Sequence, residues 1–172
     1  MLAAPHAHPI LVPVDFSPDS EAALSCAAEL SALLKAPLLI VHVVHDPGEA
    51  PGYYAVKGHT KHLQKLEDVA AGMLNEFIQA FSEAHPGLAT VKTAETTLVT
   101  GLPVNRILEL AEKSAARMIV MGSQGRTGLA RALLGSKAEQ VVRLARIPVT
   151  IVKSDRDAAK AEPEGDRKDA KA

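Results

Sequence analysis

The sequence predicts an α/β fold, a doubly wound five-stranded parallel sheet in the order 3-2-1-4-5 with helices on both faces. Three observations carry it. Five short apolar runs alternate with four segments of helical period along the 172 residues, the pattern of repeated βαβ units. The composition is 47% hydrophobic but only 3% aromatic, so the core is Ala, Val, Leu and Ile, which suits helices packed on a sheet buried on both faces. Right-handed crossovers between parallel strands then favour the doubly wound order.

The first strand is the run from Pro9 to Val14, ending at Asp15. Ser17-Pro18-Asp19 follows, a capping serine with proline at the first helical position and an acid in the first turn. Ala23, Cys26, Ala27, Leu30, Leu33 and Leu34 recur at helical spacing, and Leu38 to Val44 is a second strand. Residues 45–58 read as a loop rich in Pro and Gly. From His59 a stripe of Leu63, Leu66, Ala70, Met73, Phe77 and Phe81 marks a long helix, stopped by His85-Pro86-Gly87. Thr90 to Val99 is rich in Thr and Val and is expected as the third strand. Pro103 opens a third helix with Val104, Ile107, Leu108 and Ala111 inward, and Met118 to Met121 is a fourth strand. After a glycine-rich stretch, Ser136 and Glu139 stand at capping-box spacing. A fourth helix is expected there, with Ser136 as its cap and Val142 and Ala145 on its apolar face. Residues 147–152 form the last strand. One domain over residues 9–153 is expected, with flexible termini at 1–8 and 154–172, where no apolar period runs.

Composition removes several function classes. A formal net charge of -1 gives no electrostatic ground for nucleic-acid binding. No apolar run approaches the roughly 20 residues of a membrane span, so no membrane insertion is expected. The first nine residues lack a basic segment and an apolar signal core. Cys26 is the only cysteine, and with no internal disulfide possible a reducing cytoplasm is the expected location.

In the order 3-2-1-4-5, strands 1 and 4 are neighbours at the switch point, where α/β folds place ligands beyond the strand C-termini. Asp15 ends strand 1 and Gly122 follows strand 4. The segment from Gly122 to Ser136 therefore faces the same crevice as Asp15. Glycines let backbone amides approach a phosphate. The start of the following helix favours an anion, and Arg126, Arg131 and Lys137 add positive charge. The spacing matches neither the P-loop nor the dinucleotide-binding fingerprint.

The arrangement Gly122, two residues, Gly125, nine residues, Gly135-Ser136 resembles the G-2x-G-9x-G-[S/T] signature of ATP-binding universal stress proteins. The resemblance runs over about residues 9–153. It takes in Ile10 to Ser17, Val41-His42-Val43, Gly101-x-Pro103, Met121-Gly122-Ser123 and Ile147-Pro148-Val149. It implies an adenine nucleotide alpha hydrolase-like fold and a bound adenine nucleotide, ATP or its AMP or ADP forms, with Mg²⁺ or Mn²⁺. By matching position, Pro13, Val14 and Asp15 border the adenosine, with Asp15 near the ribose or a metal-bound water. Val43 meets adenine through its backbone, Gly101 lies on the ribose side, and Met121 and Gly122 line base and ribose. Gly125, Arg126, Gly135, Ser136 and Lys137 surround the phosphates. Gln124 stands where many members carry His, and Ala138 where a hydroxyl is frequent. The resemblance further implies a homodimer through residues 148–152, an unprotected apolar strand. It implies a dimeric, nucleotide-dependent regulatory module in the stress response, acting with a regulatory partner. Two other readings stand beside it: a slow ATPase or phosphotransferase, and a nucleotide-free dimeric stress protein.

Other chemistry-bearing residues read as structural. His6 and His8, and His59 and His62, are pairs without a third ligand, and Cys26 falls on the apolar face of the first helix, as a buried inert thiol.

Overall fold

The computed structural model describes residues 8–45, 59–125 and 134–154, with residues 59–65 as backbone only. Residues 46–58 of the loop expected at 45–58, Arg126, Arg131 and the tail after Ser154 lie outside the described residues. Parallel strands β1 (Ile10–Pro13), β2 (Leu38–Val44), β3 (Glu95–Thr100), β4 (Met118–Gly122) and β5 (Val149–Val152) alternate with helices α1 (Pro18–Leu34), α2 (His59–Ala84), α3 (Pro103–Lys113) and α4 (Ser136–Leu144). The sheet order is β3-β2-β1-β4-β5, as the sequence predicts.

Strand alternation sorts the core into two layers. Ile10 and Val12 point to one face of β1, joined by Leu24, Ile40, Leu74 and Phe81 under α1 and α2. Leu11 points to the other, with Leu39, Val41, Ile107, Ile119 and Val141 under α3 and α4. Ile10, Leu11 and Val12 are all fully buried. This is why β1 reads as a continuous apolar run, and each such side chain contributes roughly 1.5–3 kcal/mol by leaving water.

Helix α1 starts as expected. Ser17 Oγ accepts from the Ser20 amide at 3.2 Å, and Pro18 fills the first helical position. At its other end Lys35 turns the chain in a left-handed conformation, φ 49°.

Four expectations are corrected. The third strand does not begin at Thr90; a 3-10 helix spans Ala89–Thr93 and β3 starts at Glu95. The ladder to β2 opens at the Leu39–Glu95 pair, so a strand starting earlier would overhang the end of β2, which begins at Leu38. Val91 instead turns into the core, 2% exposed, and Thr90 Oγ1 donates to the Ala28 carbonyl at 3.2 Å. Leu33 is exposed because it stands about 200° around α1 from the buried Ser31, on the outer face of the helix. Met73 is also exposed, since α2 buries Ala70, Leu74 and Phe81 and so is rotated slightly from the expected stripe. On α4 the buried positions are Ala138 and Val141, while Val142 faces out.

Candidate functional site

The site grows from the way β1 and β4 part. Their ladder holds only two residue pairs, Ile10 with Met118 and Leu11 with Ile119, whereas β1 and β2 pair over four. Beyond Leu11 the chain after β1 and the chain after β4 diverge. Between them, at the C-terminal ends of the strands, lies a cavity of about 940 Å³, within the range of small-molecule sites. One wall is apolar, from Val41, Val43, Ile107 and Met121. The other is polar, from Asp15, Gln124, Gly125, Gly135, Ser136 and Lys137.

Ten of the twelve residues singled out in the sequence line this one cavity. Besides Asp15, Val43, Met121, Gly125, Gly135, Ser136 and Lys137 they are Pro13, Val14 and Gly122. Gly101 does not line it. It follows β3 at φ +135°, where a Cβ would stand 2.7 Å from Arg106 Nε, and its amide donates to the Val44 carbonyl at 2.9 Å. Arg126 lies outside the described residues.

Ser136 is not the cap of α4. Gly135 occupies the cap position in an extended conformation, its carbonyl accepting the Glu139 amide at 2.9 Å. Ser136 is the first helical residue and makes no side-chain cap bond, so its hydroxyl borders the cavity at the helix N-terminus. The capping-box reading misplaced the start by one residue because the spacing of Ser136 and Glu139 is a stronger sequence signal than a cap glycine, which has no side-chain acceptor.

The signature glycines are needed by the frame of the site. A Cβ on Gly125 would stand 2.6 Å from Asp15 Oδ2, and one on Gly135 3.1 Å from the Ser123 carbonyl. A Cβ on Gly122 would meet the Asp19 backbone at 2.8 Å. Asp15 is held in place from the α1 side: its Oδ1 accepts from Ser17 Oγ at 2.6 Å and from the Ser17 amide at 3.2 Å. His42 Nδ1 donates to the Val14 carbonyl at 2.8 Å, and Phe16 lies against the His42 ring, centroids 4.4 Å apart.

Asp19 was absent from the residues chosen by sequence. It is 5% exposed. Its Oδ2 accepts from Ser123 Oγ at 2.6 Å and the Gln124 amide at 3.0 Å, and its Oδ1 from the Ser154 amide at 3.1 Å. Burial pushes its carboxyl up, and these hydrogen bonds outweigh that and hold it below the ordinary aspartate value. In the sequence it reads as the acid that complements the α1 dipole. The only further signal was a serine directly after Gly122, 104 residues away.

His8 Nδ1 donates to the Ala115 carbonyl at 2.8 Å, a structural use. His6 and the side chains of His59 and His62 lie outside the described residues. Cys26 is half-buried, with its thiol pKa pushed up by burial and by Glu29. It is thus held as the unreactive thiol.

The sequence model of the universal stress protein family matches residues 6–153. The chain belongs to the universal stress protein family. It is 32% identical over 163 residues to a universal stress protein of Mycobacterium bovis, covering 91% of this chain and 51% of that one. The chain thus spans about half the length of that mycobacterial relative. Its structure is similar to the universal stress protein UspA of Lactobacillus plantarum, with a TM-score of 0.69 and 26% identity over 85% of this chain and 97% of that one. A universal stress protein in complex with cAMP shares the fold, with a TM-score of 0.56 and 24% identity over 86% of this chain and 98% of that one. No described helix of this universal stress protein is long and apolar enough to cross a membrane.

Proposed function

We propose that this universal stress protein binds an adenine nucleotide, ATP with Mg²⁺ or Mn²⁺ being the preferred form, and acts as a dimeric, nucleotide-dependent regulatory module in the cytoplasm. The observation that carries the reading is the cavity at the β1–β4 switch point, with one wall apolar and the other built from glycines and a helix N-terminus. The halves suit the halves of a nucleotide. Val43, Ile107 and Met121 offer a surface for a flat base. Gly125 and the first turn of α4 offer backbone amides, the Ser136 hydroxyl and the Lys137 ammonium for phosphates. The signature glycines and the family membership support the same assignment. The family relative in complex with cAMP holds an adenine nucleotide in this fold.

The donor set fits a cation that arrives with the nucleotide. Among the described residues no group of three or more His, Cys, Asp or Glu is disposed to hold an ion. Mg²⁺ commonly takes one or two carboxylates, with phosphate oxygens and water completing its shell. Asp15, oriented by Ser17, would supply that carboxylate through water. The ion would neutralise phosphate charge.

Binding with little turnover is favoured over a phosphotransferase, because phosphoryl transfer is helped by a group that takes up the proton of the attacking nucleophile. At the loop position where many family members carry His, this chain carries Gln124, which cannot take a proton at neutral pH. Mass analysis of nucleotide released from purified protein, followed by calorimetry with ATP, ADP and AMP with and without Mg²⁺, tests the proposal. A protein that co-purifies with no nucleotide and shows no heat with any of the three ends it. Steady-state ATP hydrolysis at several turnovers per second would replace the binding module by the enzyme.

A further inference from the structure

The residue that organises the polar wall does not itself line the cavity. We propose that Asp19 is a positioning residue for the phosphate end of the site, acting through Ser123 to fix both ends of the segment between Gly122 and Gly135. The inference rests on the nucleotide reading above and deepens it.

Ser123 is fully buried, and each of its polar groups is committed. Its amide donates to the Val152 carbonyl at 2.7 Å, its carbonyl accepts the Gly135 amide at 2.8 Å, and its hydroxyl donates to Asp19 Oδ2 at 2.6 Å. Ser123 therefore joins the end of β5, the cap residue of α4 and the first turn of α1. Asp19 Oδ2 also takes the amide of Gln124, the residue that opens the segment, while Gly135, which closes it, hangs on the Ser123 carbonyl. Both ends of the polar wall are thus referred to one carboxylate. The missing side chain of Gly122 is what lets the first turn of α1 come this close, 2.8 Å from where a Cβ would stand.

The apolar wall is built differently. Val41 and Val43 belong to β2, Ile107 to α3 and Met121 to β4, where it is paired with Ile151 of β5, and none of the bonds Asp19 makes is to these residues. Loss of the Asp19 carboxylate thus disturbs contacts to phosphates and leaves contacts to a nucleoside. Asp19→Asn keeps the shape but turns one acceptor oxygen into an NH₂ donor. Whichever way the amide turns, either the Ser154 amide or the Ser123 and Gln124 pair then faces a donor.

The test is calorimetry of the full chain, wild type and D19N, with adenosine, AMP, ADP and ATP, together with hydrogen exchange of the Gly135 amide in the ligand-free protein. The expected result is a loss that grows with phosphate number: adenosine within about twofold of wild type and ATP weaker by about tenfold or more, the scale of one lost hydrogen bond to a charged group. The Gly135 amide is expected to exchange faster while β1 and β2 amides stay protected. Equal losses for adenosine and ATP would show general loosening and overturn the proposal, as would D19N binding ATP like wild type. If D19N does not fold, Ser123→Ala, which keeps the carboxylate and the Gln124 bond, carries the same expectation, and an unchanged ratio of ATP to adenosine affinity there overturns it. Wild-type protein that binds none of the four ligands refutes the nucleotide reading instead. Gly135 exchange in D19N still tests the loop-holding role, and unchanged exchange refutes that.

Discussion

At the scale of single residues, the glycines of the signature are fixed by close approach, and each makes a testable statement. Gly122→Ala places a methyl 2.8 Å from the Asp19 backbone, where no flexible tip can yield. Overpacking of this kind costs about 1–3 kcal/mol, read as a lower urea midpoint with an unchanged slope. Gly135→Glu brings a carboxylate to the polar wall, where a phosphate is proposed, and its Cβ meets the Ser123 carbonyl at a tight 3.1 Å. The expected outcome is no calorimetric heat with ATP and an unchanged far-ultraviolet circular dichroism spectrum. Retained wild-type affinity would remove the phosphate assignment from this loop. Asp19 adds a pH dependence. Its carboxyl is held below the ordinary aspartate value in the folded chain, so its contribution to stability is complete above the unfolded value of about 3.9 and is lost as pH falls below it. The stability gap between wild type and D19N is expected to narrow as urea unfolding is moved from pH 7 toward pH 3, and a constant gap would contradict it. The spacing of Gly122, Gly125 and Gly135 was legible because glycine has few uses. Asp19 was not, since an acid in a first helical turn has an adequate local explanation and its three partners lie far along the chain.

At the scale of elements, boundaries followed local chemistry where local chemistry decides them. Ser17-Pro18 set the start of α1 and Pro103 that of α3. The start of β3 depended on where β2 begins, a property of another segment, so Thr and Val content at 90–94 was misleading. Burial within helices was legible to about one position: α4 buries Val141 in place of Val142. Leu24 is fully buried under the sheet, and Leu24→Ala is expected to cost about 2–5 kcal/mol through lost packing and the cavity left behind. At the other side of the molecule β5 is an edge strand whose four residues, Val149 to Val152, are all half-buried. The exposed Val142 and Leu144 lie on α4, which packs on β5. An apolar, β-branched edge invites pairing, and a closed two-fold contact would satisfy it. Ile151→Lys, or Thr150→Pro, is expected to shift the proposed homodimer toward monomer in light scattering. A dimer indifferent to both would move the interface elsewhere.

At the scale of the whole molecule, the order β3-β2-β1-β4-β5 was the one favoured by alternation and crossover handedness, and it located the crevice before any side chain was considered. The shape of the crevice was not, because the parting of β1 and β4 after two residue pairs is a matter of packing between distant segments. A ligand that binds only the folded state adds stability by mass action, about 2.7 kcal/mol at a hundred times its dissociation constant. ATP is therefore expected to raise the melting temperature progressively with concentration, and an ATP-independent melting temperature would count against the site. The parallel sheet also gives the molecule a direction. Every strand begins at one end and finishes at the other, so the chain comes into β1 at the end remote from the cavity and leaves β5 at Ser154, tied to Asp19 beside it. For surface-based measurements, an anchor ahead of His8 leaves the mouth of the cavity facing the bulk solution. An anchor or fused reporter directly after Ser154 crowds that mouth and pulls on the strand end that Ser123 grips.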